Sequence, residues 1–199
     1  PFRLMRRRTA EKMLESVRNI PHVSHLEECD ATELLAMRLA LKPQADKRGI
    51  NLTFLPFIIK ATVETLKEFP HLNATLDEEK QEIVLKKYYN MGMAVAAEQG
   101  LYVPVIKNSQ DKDLWAIAKE VIDLAQKVRD NKVQLPELQG GTFTITNIGP
   151  LGGVAATPII LYPQTGILAI MKMKERPVVY SGKIMIRTMM NLVLSFDHR

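Results

Sequence analysis

From Lys183 to Ser195 the chain reads Lys-Ile-Met-Ile-Arg-Thr-Met-Met-Asn-Leu-Val-Leu-Ser, and Phe196-Asp-His-Arg199 follows. A run so rich in β-branched and large apolar side chains reads as a β-strand. Such a strand presents its polar residues at the sheet margin. His198 therefore stands on a rigid element, where an imidazole can be held in one orientation. Whatever fold the chain adopts must be built round a sheet that accepts this strand.

The rest of the chain supplies that sheet and a layer of helices. Residues 9–19 read as a short helix with Met13, Leu14 and Val17 on one side, ended by Ile20-Pro21, since the residue before proline avoids the α region. Residues 22–30 alternate as a strand that carries His22 and His25, whose spacing fits neither a zinc site nor a helix face. Asp30 or Thr32 caps a second helix with Leu34, Leu35, Leu39 and Leu41 at helical spacing, Arg38 on its flank, and Gly49 as its stop. Pro43 is expected to kink or split it. A third helix runs from about Leu55 to Phe69, with Ile58, Ile59, Val63, Leu66 and Phe69 as its stripe. Between Leu72 and Val105 the period shortens to four β-like runs, 72–76, 82–86, 91–96 and 101–105, with turn residues between them. Asp111 to Asn131 is the clearest helix. It points Leu114, Ile117, Val121, Ile122, Leu124 and Val128 inward and ends on Lys127 and Arg129, as the helix dipole favours.

Gly140-Gly-Thr-Phe-Thr-Ile-Thr-Asn147 is a strand with Thr142, Thr144 and Thr146 on one face and Phe143 and Ile145 on the other. The glycine-rich turn after it lacks the ending of a phosphate loop, and no helix follows to make it a dinucleotide fingerprint. Strands at 166–173 and 177–180 precede the last one. Strands come in runs rather than in strict alternation with helices. The fold class is therefore α/β of the α+β kind: a mixed sheet with helices on one face, in two layers.

Composition narrows the function. The 199 residues, 46% apolar and 25% charged, fit one domain with a sizeable core. No apolar run is long enough to span a bilayer, and no signal-peptide pattern opens the chain. Cys29 is alone, which points to a reducing compartment and to a small buried or half-buried residue rather than a nucleophile. Part of the net charge of +5 sits in Arg3, Arg6, Arg7 and Arg8. This basic arm would suit nucleic acid or an anionic partner, yet no nucleic-acid motif accompanies it. A solvated arm lying across a neighbouring subunit is favoured. No cluster of metal ligands is present.

Several stretches, in order and over nearly the whole chain, resemble the catalytic domain of the dihydrolipoyl acyltransferases, the core components of 2-oxo acid dehydrogenase complexes. They are Met13–Ser16 with Ile20-Pro-His22, Leu52-Thr-Phe-Leu-Pro-Phe57, Phe69-Pro-His-Leu-Asn-Ala74, Gly100-Leu-Tyr-Val-Pro-Val105, Gly140–Asn147 and Phe196-Asp-His-Arg199. The last two are the most specific. The resemblance implies a chloramphenicol-acetyltransferase-like fold and a homotrimer with active sites between subunits, assembled into a hollow polyhedral core. It implies a cytoplasmic protein, or one of the mitochondrial matrix in a eukaryote. The catalytic histidine falls on His198, and the hydroxyl residue facing the tetrahedral intermediate falls on Thr146. Coenzyme A contacts fall on Arg38, Thr53 and Asn147. The cosubstrate would be a lipoyl group carried on a separate domain, with no metal. The partners would be the 2-oxo acid decarboxylase and the dihydrolipoyl dehydrogenase. The family continues past the arginine to an aspartate-glycine and a final helix, so residues 1–199 read as a single catalytic domain truncated at its C-terminal end.

Three rivals remain: a non-catalytic core scaffold, a chloramphenicol-type acetyltransferase, and a nucleic-acid-binding module. An intact His198 speaks against the first. The second characteristically has a histidine where Asp197 stands. The third rests on the arginines alone. Phe54, Met91, Met93 and Met171 are candidate lining for the acyl pocket, with plain core packing as the alternative.

Overall fold

The computed structural model describes residues 4–199. In chain order the elements are α1 (Leu4–Asn19), β1 (His22–Asp30), α2 (Thr32–Lys47), α3 (Leu55–Glu68), β2 (Ala74–Asp77), β3 (Glu82–Leu85), β4 (Met91–Ala97), β5 (Gly100–Tyr102), β6 (Val105–Ile106), α4 (Leu114–Arg129), β7 (Phe143–Asn147), β8 (Gly166–Ile170), β9 (Lys174–Tyr180) and β10 (Lys183–Asp197). The main sheet has the order β1-β10-β8-β7-β4-β5, with β6 beside β4 and β9 beside β10, while β2 and β3 form a separate hairpin. The β4–β7 and β7–β8 pairings are parallel and the rest antiparallel, so the sheet is mixed as expected.

The alternation read in residues 142–147 sets the layers. Phe143 and Ile145 turn to the helical side and are buried with Ile59, Val63 and Leu66 of α3 and Ile117, Val121, Leu124 and Val128 of α4. Each such side chain taken out of water contributes about 1.5–3 kcal/mol. Thr142 and Thr144 turn to the opposite face. The central strand β8 is buried on both sides, as parallel strands are: Leu168 and Ile170 join the helical core, Ala169 packs with Met171 and Val193, and Ile167 packs with Ile20 and Ile160. The end of α1 and the irregular segment 148–165 therefore cover the face that α2, α3 and α4 leave open. Met91 and Met93 are fully buried core residues, not pocket lining.

Several expectations need correction. The first helix starts earlier than residue 9, so Arg6, Arg7 and Arg8 of the basic arm lie within α1, exposed; Arg3 is outside the described residues. Leu, Met, Arg and Ala are all good helix formers, and Arg7 pairs with Glu11 one turn on, at 2.8 Å. Leu14 and Val17 are exposed, while Thr9, Ala10, Met13 and Ser16 turn inward. Pro43 does not split α2, which runs unbroken through it. Both Pro43 and Leu39 face solvent, where water can satisfy the carbonyl that the ring leaves without a partner. Phe69 is outside the core at 57% exposure, because α3 ends one residue before it. The run 101–105 is broken into β5 and β6 at Pro104, which has no N–H for a ladder.

Candidate active site

The five residues singled out in the sequence fall at two ends of the sheet. At one end β7 delivers its threonines. The Thr142 hydroxyl exchanges hydrogen bonds with the Asn90 main chain, accepting from its N–H at 3.1 Å and donating to its carbonyl at 3.3 Å. The Thr144 hydroxyl donates to Gln164 Oε1 at 2.7 Å inside the protein. Thr146, on the same face and only half-buried, has a hydroxyl with no hydrogen-bond partner among the described residues. Asn147 closes the strand, exposed, its Oδ1 accepting the Gly149 N–H at 3.1 Å.

Beside Asn147 opens a cleft of about 210 Å³, lined by Phe54, Leu55 and Ile58 on one side and Asn147, Met171 and Lys172 on the other. Phe54 and Met171 both reach this cleft, and Met171 also belongs to the Ala169–Val193 core cluster. Arg38 braces the near wall: its Nε donates to the Leu52 carbonyl at 2.7 Å, and its guanidinium lies 5.0 Å from the centre of the Phe54 ring. Thr53, exposed, stands between those two contacts. Of the three residues, Asn147 lines the cleft itself, while Arg38 and Thr53 stand behind its Phe54 wall. The helix α3 starts there with no side-chain cap, Lys172 lines the facing wall, and the Arg38 guanidinium stands behind Phe54. A wall of this kind suits an anionic ligand with an apolar stem.

His198 is at the other end. The main chain of β10 is fastened on both sides there. The Asp197 N–H donates to the Thr165 carbonyl at 2.9 Å and the His198 N–H to the Pro21 carbonyl at 3.1 Å. The imidazole is exposed, tilted against the Phe196 ring at 5.9 Å between centroids, and neither of its nitrogens has a partner among the described residues. Its neighbours are committed to each other. Arg199 grips the Asp197 carboxylate through Nε and Nη2 at 3.0 and 2.8 Å and reaches Glu78 at 2.8 Å. Burial pushes the Asp197 carboxyl upward, but the Arg199 hydrogen bonds and charge, with a smaller contribution from His22, outweigh it and leave the group below its ordinary range. The Arg199 guanidinium is correspondingly raised by Asp197 and Glu78. The Asp-His-Arg sequence therefore contains an internal ion pair with a free imidazole between its members.

The sheet register fixes how far apart the two ends are. Thr146 stands opposite Ala169, and Ala169 opposite Val193. His198 lies five positions past Val193. That rise along the strand and two strand spacings across it separate Thr146 from His198 by roughly 15–20 Å within one chain.

The family model for the 2-oxoacid dehydrogenases acyltransferase (catalytic domain) matches residues 1–199. The chain belongs to this family. Over 195 residues, 98% of its length, it is 42% identical to the lipoamide acyltransferase component of the branched-chain alpha-keto acid dehydrogenase complex of Pseudomonas aeruginosa. It is 41% identical, over the same share, to the dihydrolipoyllysine-residue acetyltransferase component of the pyruvate dehydrogenase complex of Bacillus subtilis. The acyltransferase domain spans about half the length of these relatives, 46% and 44%. Two solved structures superpose with a TM-score of 0.96 at 41% identity, covering all of this chain and 82% of theirs. One is the Azotobacter vinelandii dihydrolipoamide acetyltransferase; the other is the cubic core of a pyruvate dehydrogenase multienzyme complex. A chloramphenicol acetyltransferase, at 15% identity and a TM-score of 0.53, shares the fold.

Proposed function

We propose that this domain carries an acyl group between a dihydrolipoyl thiol and coenzyme A, with His198 of one copy and Thr146 of a neighbouring copy acting on the same bond. The observation that carries this is the pair of uncommitted groups at opposite ends of one sheet. An imidazole and a hydroxyl roughly 15–20 Å apart along and across the strands cannot serve one carbon from a single chain. They can do so when the His198 end of one copy meets the Thr146 end of the next. The spacing in sequence supports the assignment. Thr146 and His198 are 52 positions apart, as are the serine and histidine whose catalytic roles were studied in the Azotobacter protein.

Thiols at neutral pH are mostly protonated, and the thiolate is the nucleophile. Neutral His198 removes the proton from the coenzyme A thiol as its sulfur bonds to the thioester carbon. The carbonyl electron pair moves to oxygen, and the Thr146 hydroxyl donates to that oxyanion. When the carbonyl re-forms, the bond to the lipoyl sulfur breaks and His198 returns the proton to that sulfur. The Asp197–Arg199 ion pair shapes the ground on which His198 stands and takes no proton itself. At the far end, Arg38 and Lys172 supply the positive charge that the coenzyme's phosphates require, while Asn147 lines the opening and Thr53 stands next to its Phe54 wall.

The intact protein is a self-assembled core component that works beside a 2-oxo acid decarboxylase and a dihydrolipoyl dehydrogenase, and it receives the lipoyl group from a separate domain. Relatives from the branched-chain and pyruvate complexes match at nearly the same identity, so acetyl and isobutyryl transfer are assayed side by side. The test is His198→Ala in the intact protein, with acyl transfer to dihydrolipoamide as the readout. A fall of about a hundred- to ten-thousand-fold in kcat is expected for loss of a general base. Retention of most of the rate rejects the assignment.

A further inference from the structure

The second histidine near the site, His22, is bonded at both ring nitrogens. Its Nδ1 lies 2.8 Å from the Ile20 carbonyl oxygen, and its Nε2 lies 3.0 Å from the Ile160 backbone nitrogen. A carbonyl only accepts and an amide N–H only donates, so one tautomer satisfies both: Nδ1 carries the hydrogen and Nε2 the lone pair. The imidazolium would turn a second donor toward the Ile160 N–H. In that tautomer the half-buried ring is a two-ended strut.

What the strut joins gives it a role. The last two residues before Arg199 hang between two rails. One is the start of β1, where the Pro21 carbonyl accepts the His198 N–H. The other is the lead-in to β8, where the Thr165 carbonyl accepts the Asp197 N–H. His22 is the register partner of Asp197. Its ring runs from Ile20, next to the first rail's carbonyl, to Ile160, on the segment that becomes the second rail. Around it, Ile20, Ile160 and Ile167 form a small apolar cluster, and Ser16 Oγ accepts the Tyr162 N–H at 3.1 Å. The cluster and the Ser16–Tyr162 bond close the joint beside it, and the imidazole adds a side-chain bridge with one hydrogen bond to each segment.

We infer that His22 is a positioning residue for acyl transfer: by bridging Ile20 and Ile160 it fixes the spacing of the two backbone rails that hold His198 in its working place. The inference rests on His198 being the base. It assigns His22 no contact with substrate and no proton to move. A base displaced by a fraction of an ångström keeps its pKa and loses rate, so the effect falls on kcat rather than on the binding of coenzyme A.

Three replacements in the intact protein separate this role from packing. Asn in place of His22 puts an amide N–H where Nδ1 was, retaining the bond to Ile20. Gln puts an acceptor near Nε2, retaining the bond to Ile160. Phe fills the space and makes neither. We expect kcat to fall about 3- to 10-fold for His22→Asn and His22→Gln and about 30- to 100-fold for His22→Phe, with KM for coenzyme A unchanged within about twofold. Hydrogen exchange of the peptide covering residues 195–199 follows the same order, and it reads the strut whether or not His198 is the base. If His198→Ala keeps its activity while exchange still accelerates in His22→Phe, the catalytic reading falls and the strut stands. A kcat for His22→Phe equal to or above those of the Asn and Gln variants is the ranking that packing alone would give, and it overturns the inference. Unchanged exchange at residues 195–199 in His22→Phe overturns it too.

Discussion

Thr144 and Thr146 sit two positions apart on one face of β7, and replacing each by valine should do opposite things. Valine has nearly the shape of threonine and differs by a methyl for the hydroxyl. At Thr144 that hydroxyl donates to the buried Gln164 side chain at 2.7 Å. Thr144→Val leaves Gln164 Oε1 without a partner in a closed space, which costs about 1–3 kcal/mol of stability. At Thr146 the hydroxyl holds nothing, so Thr146→Val should change stability by less than about 0.5 kcal/mol. Its effect belongs to the transition state. Loss of one oxyanion donor lowers kcat about a hundred- to a thousand-fold. The assay is steady-state acyl transfer to dihydrolipoamide with thermal denaturation on the same samples. Thr146→Ser, which keeps the donor, should recover most of the rate. A Thr146→Val protein that turns over within a few-fold of the parent, or that loses stability as Thr144→Val does, would refute the reasoning.

Arg38→Met should raise KM for coenzyme A about tenfold or more with kcat little changed, because a cation that meets phosphate acts equally in ground and transition states. Unchanged KM in steady-state kinetics would remove Arg38 from the binding wall. Asp30 bears on stability and pH. The hydroxyl and N–H of Thr32 act first, with Arg187 adding to them, and they hold its carboxyl at about 2, below the ordinary 3.8. A depressed carboxylate contributes above its unfolded pKa and loses that contribution as pH falls through the folded one. The stability difference between the parent and Asp30→Asn should therefore be flat above about pH 5 and be lost progressively between about pH 5 and 1. Denaturant midpoints from about pH 6 down to about pH 2 check it, and a difference undiminished at about pH 2 would contradict it.

Much of the architecture was legible in the chain because local patterns and tertiary needs agree. The 183–195 run is the long strand β10, and the threonine alternation at 142–146 sets the two faces of the sheet. The helical stripes of α3 and α4 are the core. Reading failed where tertiary context overrode the local signal. Arg6, Arg7 and Arg8 read as part of a basic arm but lie in the first turns of α1. Pro43 read as a break, yet it lies on a wet face where the lost bond costs little. Met91 and Met93 have the chemistry of pocket lining but sit under two helices. The candidate residues were legible by type and motif. That Thr146 and His198 lie at opposite ends was not, since it depends on the registers of β7, β8 and β10. Nor was the part played by His22, for its partner Ile160 is 138 positions away.

The central claim is that each working centre is assembled from two copies, His198 from one and Thr146 from the next. Co-expression of His198→Ala and Thr146→Val subunits in equal amounts tests it directly. In a ring of head-to-tail contacts, about a quarter of the junctions then pair an intact His198 with an intact Thr146. Activity should therefore return to about a quarter of the parent level although each variant alone is nearly inactive. Mixed assemblies no more active than the two variants measured separately would contradict the account.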